Sequence, residues 1–126
     1  MRHHLFMNTR AVQWLVLLAA AVASGCGPNA TASAADANLG RHLIYSYGCG
    51  SCHVIPGVAE AVGTVGPSLK GLANRDYIAG VLTNTPDNLS RWIADPQALE
   101  PGNAMPRLGV TPEQARRIAA YLYTLK

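Results

Sequence analysis

The distribution of apolar residues divides the chain in two. From Ala11 to Ala23 every residue except Gln13 is apolar, an unbroken run of about 13 residues. Further along, apolar residues return at helical spacing. Leu39, Leu43, Ile44 and Tyr47 predict a helix over about 37–48, before Gly48. Thr85-Pro86-Asp87 has the chemistry of a helix start: a hydroxyl cap, a proline in the first turn and an acid beside the positive end of the helix dipole. Leu89, Trp92 and Ile93 give that helix a buried face, and Pro96 stops it. Thr111 and Gln114 match a capping box, after which Ala115, Ile118, Ala119, Leu122 and Leu125 recur at helical spacing with Arg116, Arg117 and Lys126 outside. Pro67 to Asn74 allows one or two helical turns, whereas Val54–Gly66 and Ala98–Gly109 carry proline and glycine without a period and read as loops. No segment alternates with period two, and there is no internal repeat. The expected fold is all-α, with about four helices and long loops. So much irregular chain in a small domain is unusual unless the loops wrap around something.

Length changes the picture little: 126 residues allow one domain. The N-terminal run changes it more. Arg2, His3, His4 and Arg10 precede it and small residues follow, the make-up of a secretory signal peptide over residues 1–25. The run is short for a membrane-spanning helix. Gly27 to Ala37 is built of small residues without a period, so 26–37 reads as a flexible tether and 38–126 as the folded domain. The net charge of +3 includes Arg2 and Arg10; without them eight basic residues face seven acidic ones. That balance gives no reason to expect nucleic acid.

Three cysteines in an exported chain demand an explanation. Cys26 stands alone in Ala23-Ser24-Gly25-Cys26. It is either a free or partner-linked thiol or, since the segment resembles the lipobox of bacterial lipoproteins with Ala23 in place of the usual leucine, a lipid-bearing N-terminus. A rival cleavage site of the Ala-x-Ala type, Ala32-Ser33-Ala34, would discard Cys26 and release a soluble protein.

Cys49 and Cys52 belong to Cys49-Gly50-Ser51-Cys52-His53, a C-x-x-C-H pentapeptide that reads as covalent attachment of a c-type haem. Two thiols three positions apart on one turn can each reach a vinyl group of the same porphyrin, and the next residue places an imidazole under the iron. Structural zinc needs four ligands, and the exported chain adds only His42 and Cys26. A thioredoxin-type dithiol needs a preceding strand, and a disulfide across two residues is strained. For the sixth iron ligand, Met105 is the only methionine left once Met1 and Met7 depart with the signal peptide. It lies in Pro101-Gly102-Asn103-Ala104-Met105-Pro106, on no apolar stripe, so a core-filling role suits it less than ligation. His42, just before the motif, is the alternative, on the wrong side to reach the other haem face.

From these residues the resemblance becomes specific. Residues 39–126 resemble a mitochondrial-type class I cytochrome c. The resemblance implies the cytochrome c fold, about four helices with long loops around one covalent haem. Gly40 and Tyr45 resemble the family's first helix, whose small residue lets the last helix cross against an aromatic such as Tyr121. Val65-Gly66-Pro67-Ser68-Leu69-Lys70-Gly71-Leu72 resembles the segment whose proline carbonyl, here that of Pro67, accepts the proton of the haem-ligating histidine. Arg75 resembles an arginine near a propionate, Trp92 an aromatic lining the haem crevice, and the Met105 loop the axial-methionine loop. The chain departs from the family in three respects, one of them a slightly long loop between His53 and Pro67 to which no chemistry is assigned. No tryptophan stands near Asn84, and Lys70 and Lys126 are the only lysines, so the usual basic docking ring is missing.

The expected function is one-electron transfer rather than enzymatic catalysis. The expected protein is a monomer, lipid-anchored on the periplasmic side of the bacterial inner membrane or else soluble in the periplasm. It would carry electrons from a quinol-oxidising complex or dehydrogenase to a terminal oxidase. Two alternatives remain: a fixed subunit through which electrons enter one oxidase or dehydrogenase, and an open-site haem peroxidase or gas-binding protein, which the Met105 loop disfavours.

Overall fold

The structure, a computed structural model, describes residues 28–126. The signal-peptide and Cys26 lipid-anchor expectations lie outside the described residues. Four α-helices occur among them: α1 (Pro28–Ser46), α2 (Pro86–Ala94), α3 (Pro96–Leu99) and α4 (Pro112–Leu122). Single 3-10 turns stand at Cys49–Ser51 and Leu72–Asn74, and a small antiparallel pair joins β1 (Tyr77–Ile78) to β2 (Leu82–Thr83) with Ile78 opposite Leu82. None of the described helices is long and apolar enough to cross a membrane.

The core forms where α1 crosses α4 and α2 packs on α4. Ile44 of α1, Leu89, Trp92 and Ile93 of α2, and Ile118 and Leu122 of α4 are buried there. Each such side chain contributes roughly 1.5–3 kcal/mol by leaving water. No polar or charged residue is buried among the described residues, so the interior is uniformly apolar.

Gly40 sets the α1–α4 crossing. A Cβ at that position would collide with the carbonyl group of Arg117 and lie 3.0 Å from the amide nitrogen of Ile118. The nearest atoms belong to the α4 backbone, the close crossing that a small residue here permits. The Tyr121 hydroxyl donates to the carbonyl of Pro56 at 2.7 Å. The start of α4 is a complete capping box: the Thr111 hydroxyl accepts from the Gln114 amide at 3.3 Å, and Gln114 Oε1 accepts from the Thr111 amide at 3.0 Å. Tyr47, just past α1, donates its hydroxyl to the same Gln114 Oε1 at 2.8 Å, tying the two helices together above the core.

One expectation needs correction, and three details are added. The first helix runs Pro28–Ser46 instead of 37–48, taking in most of the stretch read as an irregular tether. Ala30, Ala32, Ala34, Ala35 and Ala37 are strong helix formers, and proline suits a first turn. The short helical turn allowed over 67–74 is the 3-10 turn Leu72–Asn74. Pro96 both ends α2 and opens α3, because Asp95 caps the new turn by accepting from the Ala98 amide at 3.1 Å. The β1–β2 pair is an addition to the all-α expectation. Its turn closes with the Val81 amide donating to the Ile78 carbonyl at 3.0 Å, over Ala79 (φ 51°) and Gly80 (φ 77°).

Candidate haem-binding site

At the end of α1 the chain turns through Gly48 (φ 67°) directly into the 3-10 turn that carries the cysteines. The amides of Cys52 and His53 both donate to the Cys49 carbonyl, at 3.3 and 3.1 Å, so the two thiols and the imidazole leave one compact turn. Both thiols are free and partly buried. Burial pushes the Cys49 thiol above its ordinary 9.0; its own backbone amide opposes this and the neighbouring Cys52 adds to it. A thiol held neutral is the reverse of the acidic, thiolate-stabilising site that a redox-active dithiol requires.

The segment 54–66, to which the sequence assigned no chemistry, folds back onto this turn. The Gly63 amide donates to the Gly50 carbonyl at 2.9 Å and the Gly66 amide to the Cys52 carbonyl at 2.8 Å, while Val54 bridges Val62. This return brings Pro67 beneath the imidazole. His53 Nδ1 stands 2.7 Å from the Pro67 carbonyl oxygen. A carbonyl can only accept, so Nδ1 carries the proton and Nε2 keeps the lone pair that a metal needs. Gly66 allows the approach, for a Cβ there would lie 2.7 Å from Nδ1.

Arg75 turns inward to the same segment, donating to the carbonyls of Ser68 and Lys70, the latter at 3.0 Å. Asn84 holds the segment from below. Its Nδ2 donates to the carbonyls of Leu72 (2.8 Å) and Arg75 (2.9 Å), and its Oδ1 accepts from the Tyr123 hydroxyl at 2.7 Å. The sequence marked Asn84 only as lying where the family resemblance leads one to look for a tryptophan. Trp92 is buried in the core face of α2.

Met105 is half-buried, packed against the core and held by two amide side chains that sequence reasoning passed over. Gln97 Nε2 donates to the carbonyls of Asn103 and Met105, both at 2.9 Å, and its Oε1 accepts from the Gly102 amide at 3.0 Å. Asn103 Oδ1 accepts from the Met105 amide at 2.8 Å, and its Nδ2 donates to the carbonyls of Pro96 and Glu100 at 3.0 and 2.7 Å. The available sequence signal was the pair of amides flanking Pro101-Gly102, a stretch whose irregular backbone must find partners somewhere. His42 is exposed on α1. A separate surface groove of about 520 Å³ between α2, α3 and the start of α4 contains none of the cysteines, histidines or methionines.

The residues present fit a haem: two free thiols on one turn, an imidazole whose Nδ1 is already occupied, and glycine where a side chain would strike the ring. A helical domain whose loops close over such a turn has the architecture of a c-type haem protein. The family model for cytochrome c matches residues 37–126. The chain is 38% identical over 91 residues to cytochrome c oxidase subunit 2 of Alkalihalophilus pseudofirmus, covering 71% of this chain and 26% of that protein. It is 35% identical over 78 residues to cytochrome c oxidase subunit 2 of Bacillus subtilis, covering 60% of this chain and 22% of that protein. Against cytochrome c2 iso-2 of Magnetospirillum molischianum it is 32% identical over 105 residues, covering 73% of this chain and 100% of the relative. The matched region thus spans about a quarter of the oxidase subunits' length. No solved structure matches the chain significantly. The chain belongs to the cytochrome c family. It is a class I cytochrome c, a family that carries covalently bound haem c with its iron.

Proposed function

We propose that this chain is a membrane-tethered monohaem cytochrome moving one electron at a time from a quinol-oxidising complex or dehydrogenase to a terminal oxidase. In this reading Cys49 and Cys52 form the thioethers, His53 and Met105 are the axial ligands, and lipidated Cys26 is the anchor after removal of residues 1–25. The haem supplies a one-electron iron couple, which histidine–methionine ligation sets at high potential. The protein's own work is to hold that couple still and dry. The observation that carries the reading is the 2.7 Å approach of His53 Nδ1 to the Pro67 carbonyl. It fixes the tautomer and orientation of the ring, increases the basicity of Nε2 and leaves little to rearrange when the charge changes. Arg75 would offer its charge to a haem propionate, and Trp92 would contribute an apolar wall. Sparse surface charge suits docking that changes little with salt.

The test is the protein exported with its own leader. Its intact mass should exceed the polypeptide by one haem, and its oxidised spectrum should carry the long-wavelength band of methionine-ligated ferric iron. Cys26→Ser should move it from the membrane to the soluble fraction. A colourless product of bare polypeptide mass overturns the haem assignment, and unchanged fractionation overturns the anchor.

A second reading is favoured by the relatives named cytochrome c oxidase subunit 2. There the matched region is one part of a longer subunit, so this chain is a candidate for a fixed component through which electrons enter one oxidase. Purification from membranes in a stable complex supports that reading over the mobile carrier.

A further inference from the structure

We propose that Gln97 is the positioning residue that keeps Met105 in place for ligation. The inference deepens the assignment of Met105 as axial ligand and rests on it. Residues 100–110 contain no regular structure, and Glu100, Pro101, Gly102, Ala104, Pro106, Arg107 and Leu108 are all exposed. Packing alone therefore does little to set this loop. One-turn helix α3 carries Gln97, and each polar atom of that amide is engaged by the loop backbone. Nε2 donates to the carbonyls of Asn103 and Met105 at 2.9 Å, and Oε1 accepts from the Gly102 amide at 3.0 Å. With Asn103 Oδ1 accepting from the Met105 amide at 2.8 Å, both backbone polar groups of Met105 are held by side chains. Met105 cannot leave its position without breaking bonds on both sides of its own Cα. Gln97 is the member that reaches across the loop, binding it before Met105 at Gly102, again at Asn103, and at Met105 itself.

The consequence concerns exchange of the sixth ligand. An added imidazole binds the iron only in molecules whose Met105 has moved away. Its apparent dissociation constant is the intrinsic one divided by the fraction open. Gln97→Ala removes three bonds that exist only in the closed loop and so enlarges that fraction. Imidazole added to the oxidised, haem-loaded protein should bind about tenfold more tightly, a difference of about 1.4 kcal/mol. Gln97→Glu keeps the acceptor for the Gly102 amide but loses both donors and sets a carboxylate against two carbonyl oxygens. It should bind imidazole at least as tightly as Gln97→Ala. Tyr47→Phe, which deletes the side-chain hydrogen bond to Gln114 of α4 and none made by Gln97 or Asn103, should leave imidazole affinity unchanged while lowering overall stability.

The readout is loss of the methionine–iron band as imidazole is titrated, alongside urea unfolding of each variant. Tightened imidazole binding in the Gln97 variants with wild-type affinity in Tyr47→Phe supports the proposal. Unchanged affinity in both Gln97 variants overturns it, and so does equal tightening in Tyr47→Phe, which would mean general loosening. A wild-type protein without the methionine–iron band overturns the ligand assignment and this inference with it. Should Gln97→Ala take up no haem, Gln97→Glu measured against Tyr47→Phe decides the same question.

Discussion

His53 and Pro67 are 14 residues apart in sequence, and the histidine's Nδ1 lies 2.7 Å from the proline's carbonyl oxygen. The contact depends on the residue between loop and ring: a Cβ at Gly66 would stand 2.7 Å from that same nitrogen. Gly66→Ala must tilt the imidazole or push the 66–67 backbone away, at a cost of about 1–3 kcal/mol. The expected outcome is a lower urea midpoint together with a changed reduction potential, because the bond that tunes Nε2 is disturbed. A loss of stability without any change in potential would mean that the Pro67 contact does not tune the iron.

At Gly40 two effects of opposite sign compete. In an exposed helix interior, glycine to alanine gains about 1 kcal/mol. Here the added methyl group meets the Arg117 backbone of the crossing helix, which cannot rotate aside as a side chain would. Gly40→Ala should therefore destabilise, by about 1–3 kcal/mol. Thermal unfolding gives the sign directly, and a raised midpoint would contradict the crossing distance.

Ala79 holds φ 51° beside Gly80 at φ 77° in the β1–β2 turn, a pattern that favours Asn-Gly. An L-alanine in the left-handed region costs about 1–2 kcal/mol, and asparagine tolerates it better. Ala79→Asn should raise stability by about 1 kcal/mol, read as a higher thermal midpoint with an unchanged visible spectrum.

Tyr123 gives a dependence on alkaline pH. Burial pushes its phenol above the ordinary 10.0, and its hydroxyl donates to Asn84 Oδ1, which a phenolate cannot do. A folded-state pKa above the unfolded value means that the native state keeps the proton longer. That contribution to stability is complete below about pH 10 and declines as pH rises through the folded-state value. In urea titrations the wild type should lose stability faster than Tyr123→Phe above pH 10.0. Parallel curves for the two proteins would show that Tyr123 ionises normally.

The elements legible in the sequence were those set by neighbours in the chain. Thr85 and Thr111 announce helix starts because a cap is completed within three or four residues. Leu89, Trp92, Ile93, Ile118 and Leu122 mark buried faces because helical geometry turns their spacing into a stripe. Asp95-Pro96 could be read as a stop yet opens α3, since the same proline that cannot continue one helix fits the first turn of the next.

Alone, the sequence pointed to the chemistry: which side chains are candidates for thioethers and for iron ligation, and that helices would predominate. These follow from residue type and short spacing, which the chain carries wherever it folds. Tertiary structure decided who meets whom. It set Gly40 against the backbone of Arg117, recruited Gln97 to bind the Met105 loop, and made Asn84 the link between Tyr123 and the segment after Pro67. Amide side chains and glycines have no period, and their partners are chosen only when distant backbone comes within hydrogen-bonding distance.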